Sequence, residues 1–181
     1  TIIPMDLITA LIAQDILSRG PGVIFYDLRS SWVVKETITA AGGTAMMSRV
    51  GHAFIKQQMR DHNAIFAGEL SGHYYFKDNY TTESSAMAIL SLANIVARAG
   101  KPLSKLVAPL RKYSASGEIN SEVKGEPKAI LELLKKRYAD GHIFELDGVS
   151  VEYNDWWFNV RCSNTEPLVR LNVEATTPAM M

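Results

Sequence analysis

The 181-residue chain has little of what marks several common protein classes. Its single cysteine, Cys162, excludes an internal disulfide and a cysteine-based zinc site, and fits a reducing, cytoplasmic setting. Net charge is missing too, since nineteen Lys and Arg balance nineteen Asp and Glu. No overall field therefore draws the chain to nucleic acid or to an anionic membrane, and a bound anion must be held by a local cluster. No apolar run reaches the ~18 residues of a membrane-spanning helix. The opening Thr1-Ile2-Ile3-Pro4 has neither an initiator methionine nor the basic segment of a signal peptide. The chain stops at Met181, soon after a strand-like segment, so both ends read as cut. Against these absences stand 47% hydrophobic and 21% charged residues, the balance of an ordinary globular protein.

Apolar periodicity and breakers divide the chain. An amphipathic helix is expected from Pro4 through Leu7, Leu11, Ile12 and Ile16, closed by Gly20-Pro21-Gly22. Residues 23–26 have the pattern of a short buried strand. Ser30 or Ser31 can N-cap a helix over about 32–41. A second strand is expected at 44–48 and a third helix from Gly51 to about Asp61. Residues 64–67 form a strand leading into a polar loop, 73–76 a further strand, and about 83–99 a helix. This alternation points to an α/β unit. The pattern changes near Tyr113, where 114–120 is polar and rich in breakers, so a boundary is placed between about 110 and 120. Beyond it, a helix from Pro127 carries Ile130, Leu133 and Leu134 on one side, and strands are expected at 148–153, 156–160 and 168–175. The residues thus read as an α/β unit with a largely parallel sheet, followed by a small α+β domain with an antiparallel sheet.

Two short stretches carry the chemistry. In Gly68-Glu69-Leu70-Ser71-Gly72-His73, small residues flank a carboxylate, a hydroxyl and an imidazole. The glycines let the backbone turn and approach a ligand closely. In an extended segment Glu69 and Ser71 face the same way, and together they can accept from vicinal sugar hydroxyls. In Arg161-Cys162-Ser163-Asn164-Thr165-Glu166-Pro167, a guanidinium can grip phosphate bidentately beside neutral donors from Ser163, Asn164 and Thr165. Four such contacts at ~1–2 kcal/mol each, reduced by ordering costs, leave about millimolar affinity for that loop alone. Each stretch also reads as a plain polar turn between strands. Trp156-Trp157-Phe158 reads as packing rather than as a carbohydrate-stacking platform, and His62 and His142 as surface residues.

The two stretches, in this order, resemble the second half of the α-D-phosphohexomutases, the phosphomannomutase/phosphoglucomutase family, and the resemblance covers nearly all of the chain. It implies the third and fourth of the family's four domains: an α/β, three-layer domain with a mixed sheet over 1–112 and a small α+β domain with an antiparallel sheet over 113–181. It assigns the sugar's equatorial hydroxyls to Glu69 and Ser71, and the phosphate to Arg161, Ser163, Asn164 and Thr165. Members that handle glucosamine phosphate tend to carry Gln where this chain has Leu70, which points to mannose and glucose phosphates. Many members have Pro or Ala at the position of Cys162. Val50-Gly51-His52 and Asp27-Leu28-Arg29 match segments lining the family's active cleft, so His73, His52 and Arg29 are the catalytic candidates. Many members place Lys at the Arg29 position. Arginine stays protonated, so Arg29 suits a charge clamp, and the base is His73 or a residue outside this chain.

The family's phosphoserine and its Asp-Gly-Asp magnesium loop have no counterpart here, and no metal ligand is expected in this chain. The resemblance thus implies a cytoplasmic isomerase of which this is the C-terminal half. The missing N-terminal domains would be its partners, a phosphosugar its substrate, Mg2+ its cofactor and hexose 1,6-bisphosphate its activating intermediate. The isolated half is expected to be inactive. A non-catalytic phosphosugar-binding protein and a glucosamine-phosphate-type mutase are the alternatives.

Overall fold

The computed structural model describes residues 2–123, 126–163 and 167–181. The chain divides into two compact units, 1–112 and 113–181.

The first unit runs α1 (Met5–Leu17), β1 (Val23–Asp27), α2 (Trp32–Ala40), β2 (Thr44–Ser48), α3 (His52–Asp61), β3 (Phe66–Gly68), β4 (Tyr74–Phe76), β5 (Thr82–Glu83), α4 (Ser85–Ala99) and α5 (Leu103–Val107). Its sheet has the order β2-β1-β3-β4-β5. The first three strands are parallel and the last two antiparallel, so the sheet is mixed. On one face, Ile55 and Met59 of α3 pack on Phe25, Ala67 and Tyr75. On the other lies α1, which touches β3 and is flanked by α2, α4 and α5. Between Ser31, whose Oγ caps α2 by accepting from the Val33 N–H, and the glycine-rich turn after α2, the helix is only nine residues long.

α1 differs from its sequence pattern. It is not a half-exposed amphipathic helix: every residue from Asp6 to Ala13 is buried. Helices on its flanks and the sheet beneath leave no solvent face over that stretch. Thr9 and Asp6 are buried with the rest, and both matter below. A Cβ on Gly68 would come within 2.2 Å of Thr9 Oγ1. The missing side chain therefore lets β3 lie directly on α1, which is a packing role rather than room for a ligand.

The second unit comprises β6 (Ser114–Ala115), β7 (Ile119–Glu122), α6 (Pro127–Arg137), β8 (His142–Phe144), β9 (Val149–Glu152), β10 (Trp156–Cys162) and β11 (Leu168–Ala175). Its strands are antiparallel in the order β6-β11-β10-β9-β8, with β7 also on β11. Val149, Val151, Phe158 and Val160 form its core, with Leu131 and Leu134 of α6 packed on them. The breaker-rich stretch at 114–120 is not only a boundary. Ser114 and Ala115 pair with the end of β11, and β7 pairs with its beginning. Strand pairing uses backbone groups, so this polar segment joins the sheet without apolar alternation. Trp156 stacks with Phe158 over the core, while Trp157 points to the other face and donates its indole N–H to Glu174 at 3.0 Å. The aromatic run is structural.

Gly68→Ala is expected to lower stability by about 1–3 kcal/mol, because the added methyl overpacks a filled helix–strand contact. Urea unfolding checks it: the midpoint should fall with an unchanged slope.

Candidate functional site

The carboxyl ends of β1 and β3 lie side by side, the place where parallel α/β sheets gather ligands. Asp27 ends β1 and is fully buried. Its Oδ1 accepts from the backbone N–H of Arg29 at 2.8 Å and from Arg29 Nε at 3.4 Å. Its Oδ2 accepts from Arg29 Nη2 at 2.7 Å and from the backbone N–H of Leu70 at 2.9 Å. One carboxylate thus ties the loop after β1 to the loop after β3. Asp6 holds the same segment from below, its Oδ2 accepting from the N–H of Ser31 at 3.0 Å. Burial raises the pKa of Asp6, its hydrogen bonds from Ser31 and Leu7 oppose the rise, and the charge of Asp27 adds to it.

The loop after β3 is a hairpin turn, not an extended segment. The Gly72 N–H donates to the Glu69 carbonyl and the Glu69 N–H to the His73 carbonyl, both at 2.9 Å. Gly72 sits at φ +87°, a left-handed position that suits glycine in a short hairpin loop. The turn still sets Glu69 and Ser71 together, with Ser71 Oγ 3.5 Å from Glu69 Oε2. Ser71 Oγ also lies 2.9 Å from His73 Nδ1. On its other side Glu69 Oε2 is 3.8 Å from Arg29 Nη2, and Glu69 Oε1 accepts from the Tyr75 hydroxyl at 2.5 Å. Arg29, Glu69, Ser71 and His73 therefore form one connected set. Glu69 is almost wholly buried, whereas His73 is exposed, with Nε2 3.9 Å from the Glu83 carboxylate. His52 opens α3 from the loop after β2, exposed and next to the N-cap Gly51. In the same loop the Arg49 guanidinium lies over the Phe54 ring at 4.0 Å.

In the second unit Arg161 stands directly opposite Arg170 on the neighbouring strand. The two guanidiniums share Glu118: Arg161 Nη2 donates to Oε2 at 2.9 Å and Arg170 Nη1 to Oε1 at 3.0 Å. The Ser163 N–H donates to the Leu168 carbonyl at 2.9 Å and closes the base of the loop. Asn164 and Thr165 lie outside the described residues.

Several participants escape a reading of the sequence alone. Asp27 has a local sign, a carboxylate ending an apolar strand. Tyr75 and Glu118 have none, because each meets its partner only once a hairpin or a sheet has formed. Among the described residues no group of three or more His, Cys, Asp or Glu side chains is placed to hold a metal ion, and no helix is long and apolar enough to cross a membrane.

A three-layer mixed α/β domain followed by a small antiparallel α+β domain is the architecture of phosphohexomutase domains III and IV. The family model "Phosphoglucomutase/phosphomannomutase, alpha/beta/alpha domain III" matches residues 4–113, and "Phosphoglucomutase/phosphomannomutase, C-terminal domain" matches 118–181. The chain belongs to the phosphoglucomutase/phosphomannomutase family. It is 47% identical over 171 residues to a phosphomannomutase of Methanocaldococcus jannaschii, covering 94% of this chain and 38% of that protein. It is 41% identical over 172 residues to a phosphomannomutase of Escherichia coli K12, covering 93% and 38%. A crystal structure of a phosphoglucomutase/phosphomannomutase family protein from Burkholderia thailandensis superposes with a TM-score of 0.85 at 32% identity, covering 99% of this chain and 39% of that one. The chain thus spans well under half the length of these relatives.

The raised pKa of Asp6 sets a pH dependence. Above the ordinary value of 3.8 the folded state holds its proton longer than the unfolded state. Stability contributed by the protonated group is complete below that value and is lost as pH rises through the folded pKa. The stability of the wild type relative to Asp6→Asn should therefore fall as pH rises from about 4 toward neutrality. Paired urea titrations across that range check it; a wild type that gains stability relative to the variant as pH rises would contradict the assignment.

Proposed function

We propose that this chain is the substrate-holding C-terminal half of a cytoplasmic phosphomannomutase/phosphoglucomutase, which interconverts hexose 1-phosphate and hexose 6-phosphate through a hexose 1,6-bisphosphate. The observation that carries the reading is the connected set Arg29–Glu69–Ser71–His73 at the carboxyl edge of the parallel strands. Glu69 and Ser71 accept from and donate to sugar hydroxyls. Leu70 at the tip of the turn favours glucose and mannose phosphates over aminosugar phosphates. Arg161, with Ser163, Asn164 and Thr165, holds the phosphate distal to the reacting one.

Arg29 is held by Asp27 and lies beside Glu69, so it acts as a fixed charge and not as a base. Proton exchange falls to His73. With Nδ1–H donating to Ser71 Oγ, Nε2 is the base that takes the proton of an attacking hydroxyl, and the imidazolium so formed returns it to a leaving oxygen. His52 and the start of α3 provide a second place for negative charge. Magnesium, when bound to such an enzyme, offsets charge on the transferring phosphoryl group. The described residues do not fit that ion, and the phosphoserine and metal loops are assigned to the N-terminal domains.

Titration of the 181-residue chain with glucose 1-phosphate and mannose 1-phosphate, followed by amide shifts, tests the reading. Shifts at 68–73 and 161–163 with a dissociation constant of about 1 mM are expected, and 31P spectra should show no turnover. Arg161→Ala should weaken binding by about tenfold or more, the loss expected of a charged hydrogen bond. Silence at both loops at tens of millimolar phosphosugar, or turnover by the isolated chain, contradicts it.

A further inference from the structure

Tyr75 lies on β4, fully buried against Phe25, Ile55 and Met59. An aromatic ring packs there without a hydroxyl, and a hydroxyl among apolar side chains is unfavourable unless it is paired. Its partner is Glu69 Oε1 at 2.5 Å. Burial, and then the bond to Glu69, hold the phenol in its protonated form well above the ordinary tyrosine range. It therefore donates throughout the neutral range. The neighbours of the other oxygen, Oε2, are looser: Ser71 Oγ at 3.5 Å and Arg29 Nη2 at 3.8 Å. One carboxylate oxygen is tied to the core-held hydroxyl, and the other faces the longer contacts of Ser71 and Arg29.

We infer that Tyr75 is a positioning residue for sugar recognition. It touches no ligand; its hydroxyl fixes the rotamer of Glu69 so that Oε2 meets an equatorial hydroxyl already oriented. The inference rests on the reading of Glu69 as a sugar-binding carboxylate. Because Tyr75 acts through Glu69 alone, it governs which hydroxyl configuration is accepted and has no influence on the phosphate. The ring is held by the core, so the geometry exists before a ligand arrives.

The test uses the 181-residue chain as wild type, Tyr75→Phe, Glu69→Gln and the double variant. Each is titrated with glucose 1-phosphate, its 4-epimer galactose 1-phosphate, and inorganic phosphate. Tyr75→Phe is expected to weaken glucose 1-phosphate about three- to tenfold, as loss of one hydrogen bond does. It should narrow the preference over the 4-epimer, leave inorganic phosphate unchanged, and add nothing in the Glu69→Gln background. Wild-type affinity and preference in Tyr75→Phe, an equal loss for inorganic phosphate, or an equal loss in both backgrounds overturns the inference. If Glu69→Gln alone binds like the wild type, the assignment of Glu69 falls first and is recognised separately. In the unsubstituted chain, the Tyr75 hydroxyl proton should appear as a slowly exchanging downfield resonance with a cross-peak to Glu69. Its absence also overturns the inference, whatever the fold of the variants.

Discussion

A carboxylate with no exposure to water holds together two loops at the carboxyl edge of the first unit's sheet. Asp27 accepts from two backbone N–H groups and from the guanidinium of Arg29, and the two backbone donors belong to loops that follow different strands. A buried charge is unfavourable unless it is paired and hydrogen-bonded. Here the pairing is also what fixes the spacing of Arg29 and the 69–72 turn. Removing that acceptor would leave Arg29 buried without its closest counter-ion and the Leu70 N–H without its acceptor.

The same logic runs outward in two steps. Asp6, on a helix buried over most of its length, anchors the segment after Arg29 through the Ser31 N–H. Tyr75, from the opposite face of the sheet, anchors Glu69. Polar groups that lie inside the apolar layers thus hold the groups of the two loops, and the layers hold the polar groups. Rigid positioning of this kind lowers the ordering that a ligand must impose. In the second unit the like charges of Arg161 and Arg170 stand opposite each other, a destabilising arrangement on its own. Glu118 bridges them.

Much of this was legible in the residues. The alternation of strands and helices, the Ser31 cap, the turn at Gly72 and the strand at 168–175 follow from local propensity and hydrophobic period, which act over a few residues. Two departures from the local pattern share one cause. The helix at 5–17 shows a periodic stripe yet is buried from Asp6 to Ala13, and the polar 114–120 stretch, besides marking a boundary, supplies strand residues to a sheet. In both, neighbours distant in sequence decide burial or pairing, and no local period records them. The glycine at 68 is a third instance, its reason lying in Thr9 of a helix far upstream.

By itself the sequence determined most of the order of the elements, the family to which the chain belongs and the two polar loops after β3 and β10, because motif identity and local backbone preference are written residue by residue. Only the tertiary structure decided which groups support those loops. Asp27 reaching Leu70, Tyr75 reaching Glu69 and Glu118 joining two arginines are contacts across strands, and they come into being when burial removes water and leaves each polar atom to find a partner within the fold.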